Sequence, residues 1–311
     1  MSEISDFFKK LLSCGKTASP ETVPALPLTS DKVLEDKDCI LQVSYATDTG
    51  FIRETNEDSF YADGKCLHKF GESENDTYTD TADGAHVFGL FDGMGGEDFG
   101  EVASEITANT LKDFHEKFIA AEPEKYPELM NEVCRKAGAD VREMIRERGG
   151  IAGGSTFTAV CLRGGMAYAY WLGDSRIYFF NRADGSIKQL TSDHTVAMAK
   201  LAAGEEPSPR DHHSLTHFIG MTKLGDNVIA AACEPVKFGT SCVLLLCSDG
   251  LTDMLTDYEI ADILKEKSGS PAEKLMEGAL AGGGRDNVTC IVIEKTEAPA
   301  ETAENQGSET I

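Results

Sequence analysis

Three aspartates in this chain stand where an apolar run meets a glycine-rich turn. The run His86 to Phe91 stops at Asp92-Gly93, and Val243 to Ser248 stops at Asp249-Gly250. In reverse order, Gly282-Gly-Gly-Arg285-Asp286-Asn287 leads into Val288 to Ile293. A fourth acidic pair, Glu57-Asp58, opens a short run after Arg53-Glu-Thr-Asn56. Carboxylates fixed at the ends of buried strands are held stiffly at a site mouth, and adjoining glycines let backbone carbonyls approach a ligand. One Asp-Gly is ordinarily a turn, but three at strand ends form a pattern that turns do not explain. Clustered carboxylates repel one another unless cations neutralise them, and hard oxygen donors select Mg²⁺ or Mn²⁺ over Zn²⁺.

Spacing removes the other phosphate chemistries. No cysteine has an arginine six positions on, so the thiolate pocket of cysteine phosphatases is absent. Gly15-Lys16-Thr17 imitates the end of a P-loop, but Lys10 stands where its first glycine belongs. After Gly93-x-Gly95, Asp98 occupies the third-glycine position of the dinucleotide fingerprint. Gly173-Asp-Ser175-Arg lacks the second glycine of a nucleophile elbow. The seven histidines offer no HExxH, and the adjacent His212-His213 read as solvated loop residues. Metal-assisted hydrolysis remains.

The elements that position these groups are short β-like runs with helices inserted in pairs. Strands are expected at Ile40 to Ala46, Ser59 to Ala62, His86 to Phe91, Thr156 to Leu162, Met166 to Leu172, Arg176 to Phe180, Cys242 to Cys247 and Val288 to Ile293. Apolar residues at three- and four-residue steps predict helices over Glu101 to Ile119, Glu124 to Arg148, Tyr258 to Lys267 and Pro271 to Ala281, with a shorter one over Thr195 to Ala203. Polar stretches at Phe70 to Ala85, at Gly204 to Asn227 and from Thr296 on read as loops, the middle one a flap beside a site. Runs of strands with paired helices predict an α+β layered domain, since alternating single helices would be needed for a doubly wound parallel sheet.

Residues 1–38 read as a leader and Pro-rich linker, 39–295 as the folded domain, and 296–311 as an acidic disordered tail. Within the leader, Phe7, Phe8, Leu11 and Leu12 recur at helical spacing. The formal net charge is -24, a surface that repels nucleic acid and anionic lipid and accepts cations. Nine cysteines without a CxxC pair point to a reducing compartment, and no apolar run reaches transmembrane length. A cytoplasmic location is expected.

Arg53-Glu-Thr-Asn-Glu57-Asp58, Phe91-Asp92-Gly93-Met94-Gly95-Gly96, Gly154-Ser-Thr156, Gly173-Asp174-Ser-Arg176, Ser248-Asp249-Gly250-Leu and Asp286-Asn287 resemble, in order, the motif series of the protein phosphatase 2C family. The resemblance spans about residues 39 to 294. It implies a central antiparallel β-sandwich flanked by helix pairs, and hydrolysis of phosphoserine and phosphothreonine on proteins at a dinuclear Mg²⁺ or Mn²⁺ site, opposing a Ser/Thr kinase. It makes Asp92, Asp249 and Asp286 ligands of one metal. Asp92 would bridge to a second, which also uses the Gly93 carbonyl and a water-mediated contact from Glu57. Asp58 would orient a metal-bound water and Arg53 would grip the substrate phosphate. Asp253 falls where the family often supplies a third-metal ligand, but Ile151 replaces the usual partner aspartate. Met94 stands where some members carry a histidine proposed as general acid. Asp174 reads as structural, hydrogen-bonding backbone amides. The alternative to an enzyme is a silent scaffold that binds metal or phosphoproteins.

Overall fold

Apolar residues on alternate positions build the strands, and the chain pairs them antiparallel throughout. A computed structural model describes residues 36–66, 73–95, 99–150, 152–225 and 228–299. The strands, in chain order, are β1 Cys39–Asp48, β2 Asp58–Ala62, β3 Lys65–Cys66, β4 Glu74–Thr81, β5 Ala85–Met94, β6 Gly154–Ser155 and β7 Phe157–Arg163. The second half adds β8 Met166–Leu172, β9 Arg176–Asn181, β10 Ser186–Gln189, β11 Ala231–Ala232, β12 Val236–Lys237, β13 Cys242–Cys247 and β14 Val288–Glu297. One sheet has the order β10-β9-β13-β14-β1-β4 and the other β11-β8-β7-β5-β2-β3, with β12 on β8 and β6 on β5.

The sheets pack face to face on one apolar core. Val43 and Tyr45 of β1, Leu244 and Leu246 of β13, and Ile291 and Ile293 of β14 meet Phe60 of β2, Phe88 and Leu90 of β5, and Val160 of β7. Their neighbours on each strand point outward and are covered by helices, which produces the α-β-β-α layering implied by the sequence. Helices α1 Gly100–Asp113, α2 His115–Ala120 and α3 Tyr126–Glu147 cover the second sheet, where Leu111, Val133 and Val141 pack on Phe91 and Phe157. After the short α4 Val196–Ala202 and α5 Asp249–Thr252, helices α6 Asp257–Lys265 and α7 Pro271–Ala281 cover the first sheet, with Ile260, Leu264 and Leu275 on Val243 and Leu245.

Local signals explain the helix starts. Thr256 and Glu259 form a reciprocal capping box on α6, which satisfies amide donors that the first turn leaves unpaired. Ser270 caps α7 ahead of Pro271, and the fixed φ of proline suits a first helical position.

Two expectations are corrected. The stretch Phe70 to Ala85, expected as a loop, contains β4, eight residues paired along β1 from Ile40↔Thr81 to Thr47↔Glu74. Its Glu-Asn-Asp-Thr-Tyr-Thr-Asp-Thr sequence carries almost no apolar residue because it is an edge strand exposed on most positions, and charge is how sheet edges discourage further pairing. The single helix expected over Glu101 to Ile119 is two, separated at Phe114. The N-terminal amphipathic segment, the leader up to residue 35, the tail from residue 300, Gly96 and Ile151 lie outside the described residues.

Candidate active site

Asp58 begins β2 and Asp92 lies near the end of β5, and the antiparallel register places them directly opposite one another. Asp249 is the first residue of α5, immediately after β13, and Asp286 precedes β14, the strand beside β13. Ends of neighbouring strands thus bring four acids from separate motifs together.

Hydrogen bonds stiffen each acid. Asp58 is 1% exposed, and its Oδ2 accepts the Ser248 hydroxyl at 2.8 Å. Ser248 Oγ in turn accepts the Thr289 amide at 3.0 Å, so one hydroxyl ties β2 to the β13–β14 pair. The other oxygen of Asp58, Oδ1, is buried with no hydrogen-bond partner among the described residues. Asn56, wholly buried, accepts the Asp58 amide at 3.1 Å and donates to Thr47 Oγ1 at 2.8 Å. The Asp92 backbone is clamped by Thr156, which accepts its amide through Oγ1 and donates its own amide to the Asp92 carbonyl, both at 2.8 Å. Ser175 supports that hydroxyl at 2.8 Å. The Gly-Ser-Thr and Gly-Asp-Ser-Arg motifs therefore work as buttresses, and Arg176 is spent on a paired contact with Asp193 at 2.7 Å.

Asn287 staples the Arg53-to-Asp58 loop to β14. Its Oδ1 accepts the Glu57 amide at 2.8 Å, while Nδ2 donates to the carbonyls of Thr49 and Thr55 at 3.0 and 2.9 Å. The Glu57 carbonyl accepts the Gly93 amide at 3.1 Å and the Ser104 hydroxyl at 2.6 Å. A side chain at position 93 would strike the carbonyls of Gly100 and Glu57, and one at Gly100 would strike the Glu57 carboxylate. Only glycine fits this approach, which holds Glu57, Gly93 and the start of α1 against one another.

Burial and proximity make the cluster costly to ionise. Burial, then the charges of Asp58, Asp249, Asp174 and Asp286, push the Asp92 carboxyl well above the usual carboxylate range. Asp249 is raised by burial and by Asp286 and Asp253, against the lowering influence of a hydrogen bond with Asp92 and of His213. Asp58 is raised by burial against its hydroxyl donors. Like-charged carboxylates so close cannot all ionise comfortably. Bound divalent cations reverse that penalty, and the unpartnered Asp58 Oδ1 and the all-oxygen donor set suit hard cations such as Mg²⁺ and Mn²⁺.

Arg53 donates from Nη2 to Asp286 Oδ2 at 2.6 Å, and its side chain remains half exposed. That contact places the guanidinium beside Asp286, on the rim of the carboxylate cluster. Asp174, read as structural from sequence, is raised to about 8 by burial and by Asp249 and Asp193, and its charge is felt by Asp92. Its motif supplied a clue in its position after a strand, but only the fold brings it beside Asp92. His213 was also missed: the flap carries it to Asp249 and Asp253, with donor atoms of the three within 4.8 Å of one another. A solvated loop histidine gives no sequence signal of that contact.

Residues 65–281 match the family model described as protein phosphatase 2C. The chain belongs to the protein phosphatase 2C family. The serine/threonine protein phosphatase PstP of Mycobacterium tuberculosis is 27% identical over 257 residues, 82% of this chain and 45% of that protein, so the match spans about half of that relative's length. A serine/threonine phosphatase, stp, of Listeria monocytogenes is 28% identical over 260 residues, 82% of this chain and 96% of the relative. Among solved structures, the catalytic domain of PstP in complex with two manganese ions superposes with a TM-score of 0.66 at 26% identity, covering 83% of this chain and 100% of that one. Staphylococcus aureus Stp1 gives a TM-score of 0.62 at 26% identity, with 81% and 94% covered. The α-β-β-α architecture is that of the phosphatase 2C family. No helix among the described residues is long and apolar enough to cross a membrane.

Proposed function

We propose that the chain is a metal-dependent protein serine/threonine phosphatase, with residues 39–295 as the catalytic domain, whose last strand runs on to Glu297, 1–38 as leader and linker, and the residues after that strand as an acidic tail. The observation that carries this reading is the convergence of Asp58, Asp92, Asp249 and Asp286 from separate strand ends, where burial, reinforced by neighbouring acids, raises three of their carboxyl groups. Family membership and the two manganese ions of the PstP structure support it.

In this reading Asp92, Asp249, Asp286, the Gly93 carbonyl and Glu57 hold two Mg²⁺ or Mn²⁺ ions. Asp253 with His213 offers donors for a further cation beside Asp249. When bound, the ions lower the pKa of water to make a nucleophile at neutral pH and neutralise charge on the phosphoryl oxygens. Asp58, fixed by Ser248, orients the attacking water and accepts its proton through Oδ1. Arg53 grips the phosphate with the planar donors it does not spend on Asp286. Met94 carries no proton, so the serine or threonine oxygen is protonated from solvent as it leaves. The substrates are phosphorylated proteins, and a cognate Ser/Thr kinase supplies them.

The competing hydrolase reading, action on small phosphate esters, is separated by rate. With MnCl₂ present, kcat/KM on a phosphothreonine peptide exceeds that on metabolite phosphates by at least about tenfold. Equal or greater efficiency on the metabolites would refute protein phosphatase activity while leaving the metal site standing.

A further inference from the structure

Strands β2 and β5 carry catalytic carboxylates at one end, and at the other they carry a second cluster. Asp63 follows β2 in the turn to β3 with φ of 47°, and Gly64 after it has φ of 102°, as a two-residue Asp-Gly hairpin turn requires. This turn aims the Asp63 carboxylate across the start of β5, where Oδ1 accepts the Val87 amide at 3.1 Å and Oδ2 meets His86 Nδ1 at 2.6 Å. Asp80 approaches from β4, in the opposite sheet, so that one donor atom each of Asp63, Asp80 and His86 lies within 4.8 Å of the others. Asp80 Oδ1 also accepts the Thr81 amide at 2.7 Å. From the first residue of α2, His115 places Nδ1 3.8 Å from Asp63 Oδ1.

An Asp63–His86 ion pair accounts for only part of this arrangement. His86 is 6% exposed, yet its Nε2 is buried with no hydrogen-bond partner among the described residues, and so is His115 Nδ1. Two orphaned imidazole nitrogens in one small cluster are unusual, because the large majority of buried polar atoms are paired. Both belong to side chains that also approach the Asp63 carboxylate, His86 through Nδ1 and His115 through the same Nδ1 that is left unpaired. The donor set is chemically unlike that of the catalytic centre: imidazole with carboxylate suits Zn²⁺ and its neighbours rather than Mg²⁺.

We propose that Asp63, Asp80, His86 and His115 form a binding site for a divalent transition-metal cation of the Zn²⁺ type, at the end of the sandwich opposite the catalytic centre. The ion joins three layers: the β2–β3 turn and the start of β5 in one sheet, the edge strand β4 of the other, and the first turn of α2. Its role is structural, since it pins the charged edge strand, whose few apolar residues anchor it weakly, to the sheet across the core.

The test uses the full chain carrying Asp92→Asn and Asp249→Asn, which takes two carboxylates from the catalytic centre, one of them shared with the His213 group. After chelator treatment and desalting, Zn²⁺ is titrated calorimetrically and melting is followed in parallel. One Zn²⁺ per chain and a raised Tm are expected. Adding Asp80→Asn, at an exposed position, weakens Zn²⁺ binding at least about tenfold and cancels the Tm rise. In the otherwise native chain the same Asp80→Asn leaves Mn²⁺-dependent phosphopeptide hydrolysis at its starting rate. Absence of Zn²⁺ binding in the double variant, or binding of unchanged affinity after Asp80→Asn, overturns the proposal.

Discussion

At the residue scale the site depends on groups that never touch the substrate. Ser248 is fully buried and bridges Asp58 Oδ2 to the Thr289 amide, so its hydroxyl holds the one acid assigned to the attacking water. Ser248→Ala leaves an acceptor and a donor unpaired in the interior, a loss of about 1–3 kcal/mol readable in urea unfolding. If Ser248 positions Asp58, kcat falls while KM for a phosphothreonine peptide changes little; unchanged kcat would show that Asp58 needs no such support. The candidate ligand aspartates stood out in the sequence because each ends or begins an apolar run, a pattern visible without the fold. Asp174 and His213 were not, because what makes them notable is proximity to Asp92 and to Asp249 and Asp253, which arises only when distant segments meet.

At the element scale, strands and long helices were readable where one face is apolar. Expected strands such as Met166 to Leu172 coincide with the observed ones, and α7 begins and ends at Pro271 and Ala281 as its periodicity predicts. β4 escaped because its partner supplies the order: pairing with β1 stabilises a sequence that has no strand pattern of its own. The segment leading into the flap offers a pH test. His194 Nδ1 accepts the Gly173 amide at 3.2 Å, and the ring stacks on Trp171 at 6.3 Å. Burial, then the neighbouring His217, lowers its pKa from 6.5 to about 4, against the opposing charge of Asp193. The unfolded chain therefore takes up a proton first. Stability is full above pH 6.5 and is lost as pH falls from there through 4, by roughly 3 kcal/mol at most. Unfolding free energy measured between pH 7 and 4.5 declines less steeply for His194→Gln than for the native chain; identical slopes would show that His194 does not carry the effect.

At the scale of the whole molecule, two antiparallel sheets pressed together hold acids from four strand ends at a spacing that no single element could maintain. The same rigidity leaves the carboxylates no way to separate, so relief of their mutual repulsion has to come from bound protons or cations rather than from movement. The acidic surface, at -24 overall, favours cations generally and disfavours nucleic acid. The central claim is that hydrolysis requires both the divalent ions and the aspartates that hold them. Its most direct test is the rate of phosphate release from a phosphothreonine peptide by the full chain in MnCl₂, in excess EDTA, and in MnCl₂ after Asp249→Asn. The account predicts turnover in the first case and a fall of at least about a hundredfold in the other two, with circular dichroism unchanged. Turnover that survives EDTA or Asp249→Asn would contradict the assigned site, and a folded protein without turnover in MnCl₂ would make the chain a phosphoprotein- or metal-binding scaffold instead.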